Sequence, residues 1–155
     1  MKLKQLLENQ SQFLQTREEI EAWLQKMKIK NYTINDDLTV DVDGAVYIFD
    51  RMLKSIPIQF RSTWHFDCSD NQLTSLAGCP REVDGYFSCS YNELTSLKGG
   101  PREVSDGFFC RGNYLTTLRG APKFVGGDFS CTVNPELKSL DGIGQVMGEI
   151  ISDLS

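Results

Sequence analysis

The chain has 155 residues, a 40% apolar fraction and a net charge of −5. Those values suit one domain with a hydrophobic core. They argue against a nucleic-acid backbone or an anionic membrane as main partner, because both attract clustered Lys and Arg. No apolar run approaches the roughly 18 residues of a membrane span.

Met1 to Glu8 carries charges but no long apolar stretch, so no signal peptide is expected. A short helix is expected over Lys2 to Glu8, with Leu3, Leu6 and Leu7 on one side. Thr16 and Glu19 form a capping box, and Ile20, Trp23, Leu24 and Met27 follow it on one helix face. Tyr32 to Ile34 and Leu38 to Val42 flank Asn35, Asp36 and Asp37, which reads as a β-hairpin. Residues 1–43 are thus expected to form an α-helical and hairpin cap. They precede a solenoid over 44–155, with which they make one folding unit.

The solenoid is read from a repeat. Cys68, Cys89, Cys110 and Cys131 follow one another at 21 residues. Each lies two residues after a phenylalanine (Phe66, Phe87, Phe108, Phe129) and three before an asparagine (Asn71, Asn92, Asn113, Asn134). A fixed period near 20 marks one supersecondary unit copied and stacked. Phe-x-Cys alternates with period two, a short strand with one buried face. Leu-x-x-Leu follows the asparagine (Leu73/Leu76, Leu94/Leu97, Leu115/Leu118), then a Gly and Pro turn, then a valine on the return path (Val83, Val104, Val125). No single coil can bury these groups alone, so neighbours must stack. The asparagine is expected to satisfy backbone groups left unpaired where the strand bends. Gly44 to Ile56 matches Gly85 to Leu97 without a gap, an atypical first coil with Val46, Ile48 and Arg51 in the Phe, Cys and Asn places. In the last coil Pro135 shifts the leucines to Leu137 and Leu140, with Met147 and Ile151 expected in the Val and Phe places and Asp153 in the Cys place.

The pattern Asn-x-Leu-Thr-Ser-Leu with Pro, Val and Phe-x-Cys-Ser resembles the short leucine-rich repeats of enterobacterial type III effectors. It is still more similar to leucine-rich-repeat-like proteins of tailed phages and prophages. The resemblance covers about residues 40–155. It implies an α/β-type solenoid of about six stacked parallel strands from 20–21-residue repeats, and a fold that mostly binds other proteins. The separate catalytic domain of the effectors has no counterpart here.

Other chemistry is weakly signalled. Asp36, Asp37, Asp41 and Asp43 lack the tight oxygen register of a calcium loop. His65 and Cys68 lie three apart on a strand and so face opposite ways, against a catalytic dyad. The cysteines form a row, not the short local spacings of a zinc site. No cofactor is expected. Cys79, off the row, is expected to be partly exposed. Five cysteines with four in one register fit reduced, buried thiols in a cytosol better than disulfides, and the phage resemblance implies that the cytosol is a bacterial host's.

Residues flanking the inward Phe and Cys must face out. In those rows small polar residues form the background, and Tyr47, Phe49, Tyr86, Tyr91, Phe109 and Arg111 break it. Such residues are typical interface anchors. Packing against the N-terminal cap is the other use open to Tyr47 and Phe49. The expected function is a non-enzymatic protein–protein interaction module; the phage resemblance implies a narrower version, a phage- or prophage-encoded inhibitor of a bacterial host protein, for example an antiphage-defence component. The alternatives are a structural or virion-associated protein and a small-ligand or metal-binding protein. The last strand has no following coil, so a homodimer through that edge is a further expectation.

Overall fold

The computed structural model describes residues 12–154, so the helix expected over Lys2 to Glu8 lies outside the described residues. Helix α1 (Arg17–Lys26) starts as the capping box requires: the Thr16 side chain accepts from the Glu19 N–H at 3.1 Å. Its apolar face buries Ile20 and Leu24, with Met27 just beyond the last turn, and Trp23 packs on Phe60 with ring centroids 6.3 Å apart. Strands β1 (Tyr32–Ile34) and β2 (Thr39–Val42) pair antiparallel across the Asn35–Asp37 turn.

From β2 onward every strand pairing is parallel, and the chain winds as a β-solenoid of about five turns with a spacing near 21 residues. Each turn contributes two short strands to two sheets. The phenylalanine sheet holds β3 (Val46–Tyr47), β5 (Phe66–Asp67), β7 (Phe87–Ser88), β9 (Phe108–Phe109), β11 (Phe129–Ser130) and β13 (Ile150–Ile151). The valine sheet begins with β1 and β2. It continues with β4 (Gln59–Thr63), β6 (Glu82–Val83), β8 (Glu103–Val104), β10 (Phe124–Val125) and β12 (Gln145–Val146). The second sheet is a departure from the expected path. The segment around each valine, read as a return, is itself a strand, because its backbone meets the same segment one coil away in register. Among the described residues α1 is the single α-helix and the coils contain none, so the solenoid is β-type rather than α/β-type.

The interior is built from like residues stacked on like. Phe66, Phe87, Phe108 and Phe129 are fully buried, and their rings stack at 5.7, 5.3 and 5.1 Å with interplanar angles of 7°, 11° and 17°. The register that pairs Phe66 with Phe87 and Phe87 with Phe108 enforces this column. Each such pair contributes about 0.5–1.5 kcal/mol beyond area burial. Cysteines 68, 89, 110 and 131 form the adjoining buried column and are free thiols. Burial pushes the thiols of Cys89, Cys110 and Cys131 up, away from the reactive thiolate.

The asparagine column holds the bend after each strand. Asn113 Nδ2 donates to the carbonyls of Cys89, Cys110 and Arg111 at 3.1, 3.3 and 3.2 Å. Its Oδ1 accepts from the N–H groups of Asn92 and Leu94 at 3.2 and 3.0 Å. Asn71, Asn92 and Asn134 make the same kind of bridge. The turn closing each coil leaves no room for a side chain. A Cβ on Gly120, at φ +90°, would run into the backbone of Leu97 and Lys98.

Three local expectations are corrected. Cys79 is fully buried, because the turn after Leu76 folds over the interior and brings it beside Cys68. In the last coil Val146 pairs with Val125 and Ile150 with Phe129, so these two, not Met147 and Ile151, take the Val and Phe places. The residue added at Pro135 is removed again before Val146, where Ile143-Gly144 replaces Ala121-Pro122-Lys123. Asp153 therefore lies one residue past the Cys place, and its Oδ2 accepts from the Val133 N–H at 2.6 Å. That carboxylate supplies the acceptor that a backbone carbonyl supplies in the coils before it, where Tyr91 N–H donates to Arg111 O and Gly112 N–H to Thr132 O.

Candidate interaction surface

The residues singled out in the outward rows lie on the outer side of the phenylalanine sheet. Alternation explains this: with Phe87 and Cys89 inward, neighbours before and after them point out. Tyr86 is half-buried and stacks on His65, with centroids 4.5 Å apart and planes at 26°. On its other side it meets Phe109 edge-on at 6.3 Å. Tyr47 and Phe49 form a second edge-on pair at 6.3 Å and are 45% and 46% exposed, so they are not consumed by packing under α1. Burial, and then the Asp67 carboxylate and Tyr47 hydroxyl, push the Tyr86 phenol up to about 12. Tyr47, Tyr86 and Phe109 are thus brought into one group. Tyr91 and Arg111 flank Phe109 in a shallow depression of about 280 Å³ that also takes in Ser69, Asp70, Ser88 and Ser90. The Arg111 Nε donates to Thr132 Oγ1 at 2.9 Å, which holds the guanidinium stem along the sheet.

Two members of this surface were not among the predicted site residues. His65 belongs to an outward row in the sequence, but its neighbours there give it no role beyond the disfavoured pairing with Cys68. It lies one coil from Tyr86, and its Nδ1 accepts from the Tyr86 N–H at 3.0 Å, while Cys68 is sealed in the core. Asp67 sits between Tyr47 and Ser88 in register and accepts from the Ser69 N–H at 3.0 Å. The signal for both was row membership: His65 precedes Tyr86, and Asp67 precedes Ser88, by one repeat.

Backbone geometry marks one outward row. The position two residues past each Cys place is left-handed in every coil: Asp50 (φ 54°), Asp70 (55°), Tyr91 (58°), Gly112 (64°) and Val133 (58°). Asp and Gly accept that conformation readily; Tyr and Val resist it, Val most of all. Tyr91 is nevertheless kept there, 47% exposed, with its ring laid over Gly112 where a Cβ would collide with it.

The acidic residues near the hairpin are engaged locally. Asp37 Oδ1 accepts from the Thr39 N–H at 3.0 Å and its Oγ1 at 2.6 Å. Asp41 pairs with Arg61 and accepts from Ser62 and Asn35, and the Arg61 guanidinium holds its carboxyl down to about 2. Among the described residues no three His, Cys, Asp or Glu side chains converge as metal ligands, and no helix is long and apolar enough to cross a membrane.

No family model, curated protein or solved structure matches this chain.

Proposed function

We propose that the chain is a non-enzymatic module that binds a protein partner across the outer side of the phenylalanine sheet. The observation that carries this reading is Tyr91. An exposed aromatic held at φ 58° lowers stability by about 1–2 kcal/mol, and a glycine at the same place in the next coil shows that the backbone does not need it. Phe109 and Arg111 lie beside it, and Tyr47, Phe49 and Tyr86 add further anchors on the same sheet, of the kind that dominate interfaces. The likeness to leucine-rich-repeat proteins supports the same class, and its phage members support a narrower version. In that version the chain is phage- or prophage-encoded, works in the bacterial cytosol and inhibits a host protein by covering its surface. Five buried free thiols accord with a reducing compartment.

The test is capture from bacterial lysate with the intact chain as bait. One stoichiometric partner is expected, and Phe109→Ala with Arg111→Ala should abolish its recovery while the melting temperature stays within a few degrees. Undiminished capture by that double variant would show that another face is used.

A second reading rests on the edge strand β13. Ile150 and Ile151 are 45% and 40% exposed, and no strand follows β13 among the described residues. An edge-to-edge homodimer would cover them. Light scattering on Ile150→Lys decides it: a dimer should fall to monomer, and a wild-type monomer ends the idea.

A further inference from the structure

The coil carries a second surface at the corner where the chain enters the valine sheet. Arg61, Arg81, Arg102 and Lys123 occupy equivalent places in successive coils. Their backbones are joined directly: Arg81 N–H donates to Arg61 O at 3.0 Å, Arg102 N–H to Arg81 O at 2.7 Å and Lys123 N–H to Arg102 O at 2.8 Å. The four cations are therefore stacked at strand spacing, about 4.8 Å per step. Lys98 and Arg119 form a parallel row beside them, since Leu97 N–H donates to Arg119 O at 3.0 Å. All six side chains are exposed.

Arg61 alone among them is in an ion pair, with Asp41. Like charges placed directly opposite on neighbouring strands repel. A chain of net charge −5 has acidic residues enough to intersperse, yet it leaves Arg81, Arg102, Lys123, Lys98 and Arg119 without a carboxylate partner among the described residues. Between the two rows lies a depression of about 380 Å³, lined also by Gly99, Gly100, Gly120 and Ala121. The basic row ends there: the next N–H, which donates to Lys123 O at 3.0 Å, belongs to the uncharged Gln145.

We propose that this depression binds an extended acidic polypeptide segment. Two coil steps from Arg81 to Lys123 span about 10 Å, the reach of three or four extended residues. A nucleic acid is the poorer fit for two reasons. No aromatic side chain lines the depression for a base to stack on. Glu82 and Glu103 also follow Arg81 and Arg102 on the outward face of the valine sheet, where they would meet the second phosphate rail of a duplex. The stripe is one chain wide.

The test is fluorescence anisotropy with labelled hexaglutamate and with labelled single-stranded dT7, which carries a comparable charge. Hexaglutamate should bind and should weaken several-fold between 50 and 300 mM salt. Arg81→Gln, Arg102→Gln and Lys123→Gln together should weaken it about tenfold, the sum expected from three exposed ion pairs. Because all three side chains are exposed, melting should be unchanged or slightly raised, which separates lost binding from lost fold. Equal binding by the triple variant, or no binding of hexaglutamate, overturns the site. Tighter binding of dT7 than of hexaglutamate overturns the choice of ligand.

Discussion

Removing the Asn113 side chain tests whether the asparagine column, rather than the hydrophobic columns alone, holds the coils together. In Asn113→Ala the carbonyls are not stranded. Cys89 O still accepts from Asn92 Nδ2 at 3.1 Å, and Cys110 O from Asn134 Nδ2 at 3.0 Å. The N–H groups of Asn92 and Leu94 fare differently, because Asn113 Oδ1 is the acceptor the structure gives each of them. Both residues are buried, at 5% and 0% exposure. An orphaned buried donor costs about 1–3 kcal/mol, so the pair should cost about 4 kcal/mol. That is a large share of the roughly 5–15 kcal/mol that stabilises a domain, and corresponds to a melting temperature about 8–16 °C lower. Asn71→Ala is the internal control. It also frees two N–H groups, of Arg51 and Leu53, which water can reach because Arg51 is exposed and Leu53 half-buried, but it takes the Asn71 Nδ2 donor, at 2.9 Å, from the carbonyl of the buried Ile48, so it should cost about 2 kcal/mol. Urea denaturation followed by both circular dichroism and tryptophan fluorescence measures the difference. A loss below about 1 kcal/mol for Asn113→Ala would refute the assignment.

Val133→Gly should stabilise the protein by about 1 kcal/mol: relief of left-handed strain of about 1–2 kcal/mol outweighs the added chain entropy of about 0.5–1 kcal/mol, and Val133 is 51% exposed. Thermal melting checks it, and a lower midpoint contradicts the strain argument. In spectrophotometric titration Tyr86→Phe should remove the highest-titrating phenol, the one near 12. A raised folded pKa gives stability that is whole below the ordinary tyrosine value of 10 and is lost as pH climbs through about 12, so wild type should lose its advantage over Tyr86→Phe in that window. Native protein should resist alkylation at neutral pH, with Cys131 modified first because it borders the depression at the open end of the stack; equal rates at all five cysteines, read by mass spectrometry, would contradict the sealed column.

The period, the inward column of Phe, Cys, Leu and Val, the bridging asparagines and the capped helix are all local or strictly repeated, so they can be read along the chain. A 21-residue spacing dictates which residues stack, and alternation within Phe-x-Cys dictates which face out. What depends on the path between strands could not be read. Two-residue strands such as Glu82–Val83 have no periodicity of their own and exist because a neighbouring coil pairs with them. Register in the last coil depended on a deletion that cancelled an insertion, and only backbone pairing placed Val146 and Ile150. Likewise His65 became part of the aromatic surface, and Arg81, Arg102 and Lys123 became one stripe, only when stacking set residues a full repeat apart side by side. Sequence thus determined the unit and its facing, while the surfaces on which function is proposed arose from the contact between units.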